Sequence, residues 1–190
     1  MIPLKTIEDL ISKHSALEKE LSTGEVDKKV FAEKSKEYSD VNEIIENAKK
    51  YIDFASQNGI KGLLVEGWNT GWDKWISNDR EGVFDFMTPY PDYNFNEVMA
   101  YAKEKGVEVI MHHETSAAPL TYEKQMDVAY DFMKANGINS VKTGYVGKII
   151  PRGEFHDGQT MVNHFEHVVR RAADYKLMVN SHESSHPTGY

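Results

Sequence analysis

The residues best equipped for chemistry gather at the end of one apolar run, Val107-Glu-Val-Ile-Met-His-His-Glu114. Side chains alternate along a strand, so Val107, Val109 and Met111 share one face while Glu108, Ile110, His112 and Glu114 share the other. His112 and Glu114 therefore point together, and His113 points the opposite way. An imidazole beside a carboxylate suits proton transfer or ligation. An apolar run that turns polar at its C-terminal edge matches a parallel barrel strand opening at an active-site mouth. The plainer reading makes one histidine a hydrogen-bonded core residue and leaves Glu114 solvated. This stretch alone leaves both open.

Three other short runs end in the same way: Gly62-Leu-Leu-Val-Glu66, Ile138-Asn-Ser-Val-Lys142 and Leu177-Met-Val-Asn-Ser-His-Glu183. Their common rim would collect Glu66, His112, Glu114, Lys142, His182 and Glu183, with Trp68, Trp72 and Trp75 in the first loop. Each of these residues has a mild explanation by itself, but the N-terminal ends of the four runs carry nothing similar. Two carboxylates from different strands can share acid/base or water-activating work. Aromatic rings suit the apolar faces of a sugar, and His and Lys donate to its hydroxyls. The same His112, Glu114, His182 and Glu183 also make a mixed N/O metal set. Residue chemistry therefore leaves a glycosidase, a carbohydrate-binding module and a metal-dependent hydrolase all in play. His164-x-x-His167 has helical spacing and could bind a metal, although surface helices often carry such a pair.

The elements that would position these groups follow from pattern. Residues 1–45 read as a charged helical hairpin, with Ile7, Leu10, Ile11, Leu17 and Leu21 at helical spacing, a break at Ser22-Thr-Gly24, and a second helix from about Asp27 to Ile45. From residue 46 on the pattern is repeating β/α. Helices over Ala48–Asn58, after the cap Asn94, over Tyr122–Asn136 and over about Thr160–Tyr175 alternate with the four runs. Such alternation predicts parallel βα units, and right-handed crossovers put all four strand C-termini on one rim.

Composition narrows the classes. A chain of 190 residues with 40% hydrophobic and 11% aromatic content fits one domain, or one domain plus a small appendage. A net charge of −8 argues against nucleic acid, whose phosphates need clustered Lys and Arg. With no cysteine there is no disulfide framework and no thiolate zinc site. No apolar run approaches the ~20 residues that span a membrane. The N-terminus is amphipathic and lacks the apolar core of a signal peptide, so the chain as encoded is expected in the cytoplasm.

Two family resemblances follow from the motifs. Lys13-His-Ser-Ala-Leu-Glu-Lys-Glu-Leu21 and Phe31-Ala-Glu-Lys-Ser-Lys-Glu-Tyr38-Ser-Asp resemble the N-terminus of a bacterial class-1 peptide chain release factor, over about residues 1–50. The Gly-Gly-Gln peptidyl-transfer loop of that family has no counterpart, since His156-Asp-Gly-Gln159 lacks the first glycine.

Leu64-Val-Glu-Gly-Trp-Asn-Thr-Gly-Trp72, Phe84-Asp-Phe-Met-Thr-Pro-Tyr-Pro-Asp92, Met111-His-His-Glu-Thr-Ser116, Val141-Lys-Thr-Gly-Tyr-Val-Gly147, Val179-Asn-Ser-His-Glu183 and Pro187-Thr-Gly189 resemble glycoside hydrolase family 97 over about residues 46–190. This resemblance implies an α/β fold: a partial (β/α)8 TIM barrel of about four βα units behind the helical hairpin, with the join around Glu46–Tyr51. It implies hydrolysis of α-linked gluco-oligosaccharides, with calcium in the active site. By matched position it makes Glu114 and Glu183 the general bases of the inverting branch and Glu183 a calcium ligand as well. His112, Lys142 and His182 become sugar contacts, joined by Trp68. The retaining branch places an aspartate nucleophile where this chain has Gly144. The family's general acid and remaining calcium ligands match nothing in this chain, so it is expected to be an inactive fragment as it stands. A half-barrel also has open sheet edges, which makes self-association an expectation.

Overall fold

Four short apolar runs pair into a single parallel sheet, and the helices between them supply the crossovers that parallel strands need. The computed structural model describes residues 28–75 and 82–186, with side chains from residue 43 onward. The strands are β1 (Gly62–Val65), β2 (Glu108–Glu114), β3 (Ser140–Gly144) and β4 (Met178–Ser181), in the spatial order β1-β2-β3-β4. All three pairings are parallel. The helices are α1 (Lys28–Gln57), α2 (Phe95–Glu104), α3 (Pro119–Ala135) and α4 (Gln159–Asp174). The α/β class and the four βα-type strands are as the sequence predicts, and the described sheet is open rather than closed into a barrel.

One face of the sheet is covered by helices. Val109, Met111 and Val141 pack there against Val98 and Ala102 of α2, Ala129, Tyr130 and Met133 of α3, and Val168 and Ala172 of α4. The alternation expected for the Val107 run holds. Val109 and Met111 are buried, Glu108 is exposed, and Ile110 is half-buried on the opposite face. A satellite cluster of Ala117, Tyr145, Ile149, Met161 and Phe165 lies beyond the strand ends, fastening the loops after β2 and β3 to α4.

The structure corrects the helix boundaries in two places. The helix expected to end near Ile45 and the helix expected from Ala48 are one continuous element, α1. No Gly or Pro interrupts Ile45-Glu-Asn-Ala48, and Ile45, Ala48, Ile52 and Ala55 form one apolar stripe toward the core. α3 starts at Pro119, earlier than Tyr122, because proline suits the first helical turn, where its missing N–H costs nothing. The first helix of the expected hairpin, part of the aromatic loop and Pro187-Thr-Gly189 lie outside the described residues.

Candidate active site

Register decides which groups meet. His112 sits opposite Lys142, Glu114 opposite Gly144, and Lys142 opposite Asn180. From the end of β1, Glu66 reaches across and accepts a hydrogen bond from Lys142 Nζ at 2.5 Å. That ammonium holds the Glu66 carboxyl below its usual range. His112 lies between two carboxylates: its Nδ1 is 4.0 Å from Glu66 Oε1 and its Nε2 3.9 Å from Glu114 Oε2. Burial dominates its titration and pushes it down to about 4, so the ring is neutral at neutral pH. Its Nδ1 is buried without a hydrogen-bond partner, which costs free energy unless a ligand supplies one.

Glu114 is only 2% exposed. Burial raises its carboxyl above the ordinary value, opposed by two backbone donors: Ser116 N–H at 2.8 Å and Val146 N–H at 3.2 Å, both to Oε1. Glu183, just past β4, accepts from Tyr145 N–H through Oε2 at 2.8 Å, while its Oε1 stands 3.5 Å from His182 Nδ1. Consecutive amides at the end of β3 thus hold carboxylates from two different elements. Gly144 makes room for this arrangement. A Cβ there would collide with Glu114 Oε2 and come within 3.2 Å of His112 Nε2. Left-handed backbone at Ser116 (φ 52), Ala117 (φ 58) and Glu183 (φ 55) flanks the same carboxylates, and such strain is concentrated at functional sites.

The rim therefore brings together Glu66, His112, Glu114, Lys142, His182 and Glu183, each a residue singled out from the sequence. His182 is the most open of the set, with a side chain 56% exposed. Trp68 lies elsewhere. It is 2% exposed, stacks on Phe132 and donates its indole N–H to His112 O, so it is a core residue that props β2 from the helix side. Trp72 is the indole beside the site, its ring 5.5 Å from that of His112. His113 is the core histidine, fully buried with Nδ1 on the Tyr122 hydroxyl at 3.1 Å.

No three ligating side chains converge on a metal position among the described residues. Calcium takes six to eight oxygen donors. Glu183 offers one carboxylate, with one of its oxygens already on an amide. These residues alone do not fit a calcium ion. His164 does not pair with His167 for ligation, because both its ring nitrogens are taken, by Glu123 and by Tyr145.

What sequence reasoning missed is backbone: the amides of Ser116, Tyr145 and Val146. The one available signal was Gly144, a residue without a side chain at a strand end where neighbouring strands carry polar groups.

The model of the glycoside hydrolase 97 family matches residues 26–190. The chain belongs to glycoside hydrolase family 97. Solved structures agree. A family 97 enzyme from Pseudoalteromonas sp. strain K8 in complex with acarbose is 41% identical with a TM-score of 0.66, covering 74% of this chain and 22% of that one. A variant of an enzyme from the same strain gives 42% identity and a TM-score of 0.68, covering 76% and 23%. A curated retaining α-galactosidase of Bacteroides thetaiotaomicron is 25% identical over 142 residues, 74% of this chain and 18% of that protein. The chain thus spans about a fifth of the length of the family members it matches. A second similarity has a different source: peptide chain release factor 1 of Pelagibacter ubique is 75% identical over 57 residues, 30% of this chain and 16% of that protein.

Proposed function

We propose that this span is the base side of an inverting α-glucosidase. Glu114 and Glu183 activate the attacking water, while His112, Lys142 and His182 receive sugar hydroxyls. The observation that carries the proposal is Gly144. The resemblance puts the retaining branch's nucleophile at this position, where any side chain would have to displace the Glu114 carboxylate from the place it holds. With the nucleophile's place taken by a second-strand carboxylate, displacement falls to water. Water attacks on the face opposite the leaving group, which calls for about 6.5–9.5 Å between acid and base. Supporting the α-gluco reading, the Pseudoalteromonas sp. strain K8 enzyme has been solved with acarbose and, at 42% identity, with panose, an α-linked glucose trisaccharide.

Glu114 is fitted to its role. Its carboxyl is buried and raised toward the range of a working base, yet it is aimed by two amides. Glu66, the third rim carboxylate, is held ionised by Lys142 and cannot give a proton to a leaving group. With Glu114 and Glu183 read as the bases, the rim carboxylates leave no acid, a group worth roughly 10²–10⁴-fold in rate for a leaving group that needs one. Calcium ligation by Glu183 requires further donors from outside the described residues. No partner strand lies beyond β1 or β4 among those residues, and Met178 is exposed on the β4 edge, as expected of a span that works inside a larger barrel.

p-Nitrophenyl α-glucoside, whose leaving group needs little acid help, tests the reading with and without calcium. Natural α-glucosides are expected to be left intact, in keeping with an inactive fragment, while this activated substrate is expected to give slow release of β-glucose as first product by NMR, lost in Glu114→Gln and in Glu183→Gln. Release of the α anomer, or turnover that survives both substitutions, overturns it.

A further inference from the structure

A carboxylate, an imidazole and a phenol are linked in series behind the rim, and the chemistry above uses none of them. Glu123 Oε1 lies 2.7 Å from His164 Nδ1, and His164 Nε2 lies 2.9 Å from the Tyr145 hydroxyl. Tyr145 is 0% exposed and His164 3%. A carboxylate only accepts, so Nδ1 carries the hydrogen, Nε2 is left as an acceptor, and the Tyr145 O–H donates to it. The bland account is a satisfied core histidine.

The far end of the series argues for more. The backbone N–H of Tyr145 holds Glu183, and the next N–H, that of Val146, holds Glu114. The orientation of two adjoining peptide planes therefore sets both carboxylates at once. The Tyr145 side chain grows from the Cα between those planes. Its ring is gripped edge-on by the rings of His164 at 5.3 Å and Phe165 at 4.9 Å, and its hydroxyl is tied to His164. Rotation about this Cα would swing the amides and pull the hydroxyl off its acceptor.

We propose that Glu123, His164 and Tyr145 form a positioning series that fixes the Tyr145 and Val146 amides and so sets the placement of Glu114 and Glu183. The proposal rests on reading those two glutamates as the bases. All three residues of the series are positioning residues, because the buried Tyr145 hydroxyl reaches no substrate.

Amide hydrogen exchange in the 190-residue chain reads the positioning without relying on turnover. Tyr145→Phe and Glu123→Leu are expected to speed exchange at Tyr145 and Val146 by about tenfold, the loss of one hydrogen bond's worth of local closure, with Val109 and Met111 in β2 unchanged. Glu123→Gln keeps an acceptor for Nδ1–H and should restore slow exchange. In the two loosened variants kcat on p-nitrophenyl α-glucoside should fall with KM held. Unchanged exchange at Tyr145 and Val146 in a folded Tyr145→Phe chain overturns the proposal. Should that variant fail to fold, Glu123→Leu still decides, since Glu123 lies outside the core with a side chain 31% exposed. Loosened amides with unchanged kcat would support the positioning and sink the reading of the bases. A fall in kcat with tight amides would do the reverse.

Discussion

A single missing Cβ makes the rim geometry work. Gly144 faces Glu114 across the β2–β3 pairing, and the space a methyl group would fill is occupied by the Glu114 carboxylate and bounded by His112. Both neighbours are buried, so neither can swing into solvent without breaking its contacts. Gly144→Ala should therefore act as an overpacking substitution, costing about 1–3 kcal/mol, or roughly 2–12 °C in Tm for a chain of this size. Circular dichroism melts would show it. A melt identical to that of the parent chain would mean that the Glu114 carboxylate does not occupy the space beside Gly144. The alternation behind this contact was legible in the sequence, since period two alone puts His112 with Glu114 and turns His113 away, whereas the β2–β3 register that sets Glu114 opposite Gly144 was not. The donors holding the carboxylates were not, because backbone N–H groups are the same at every residue and leave no mark in the sequence.

At the level of elements, period was again what could be read. The four strands and the helices between them appear where apolar runs and glycine stops place them, but patterns without a period misled. The loop around Trp68, Trp72 and Trp75 has no repeat to say which indole faces the sheet's helix side. Trp68 went into the core and Trp72 to the rim. The break expected inside α1 came from a shift in composition, which is no physical stop. The stripe Ile45, Ala48, Ile52 and Ala55 carries one helix straight through that shift. α1 is thus anchored to the barrel-like core through its last three turns. Ile52, fully buried at the centre of the stripe, should be the sensitive position. Ile52→Ala is expected to cost about 2–5 kcal/mol, whereas Tyr51→Ala, 66% exposed one residue away, should stay within about 0.5 kcal/mol. Urea unfolding of the pair distinguishes a docked helix from a loosely attached one. Equal, small losses would mean α1 is not packed as described.

At the scale of the whole molecule, the described residues bury three imidazoles, His112, His113 and His164, which couples stability to pH. Burial pushes His113 down to about 3 and His112 to about 4, and lowers His164 as well, against an ordinary histidine value of 6.5. The unfolded chain takes up protons on these rings as pH falls through 6.5, while the folded chain does not. The unfolded state then binds more protons, so folding stability rises with pH in this window and is lost as pH falls from about 6.5 toward the folded values. Each proton taken up on unfolding tilts the curve by about 1.4 kcal/mol per pH unit. Glu114 works in the opposite sense, because burial raises its carboxyl and lets the folded state bind a proton before the unfolded chain does. One carboxyl partly offset by two amides does not cancel three histidines. Urea midpoints should therefore drop steadily between pH 7.5 and pH 5. His113→Gln, which keeps a polar partner for the Tyr122 hydroxyl but cannot titrate, should flatten part of that slope. A midpoint constant across this range would contradict the burial of these imidazoles in neutral form.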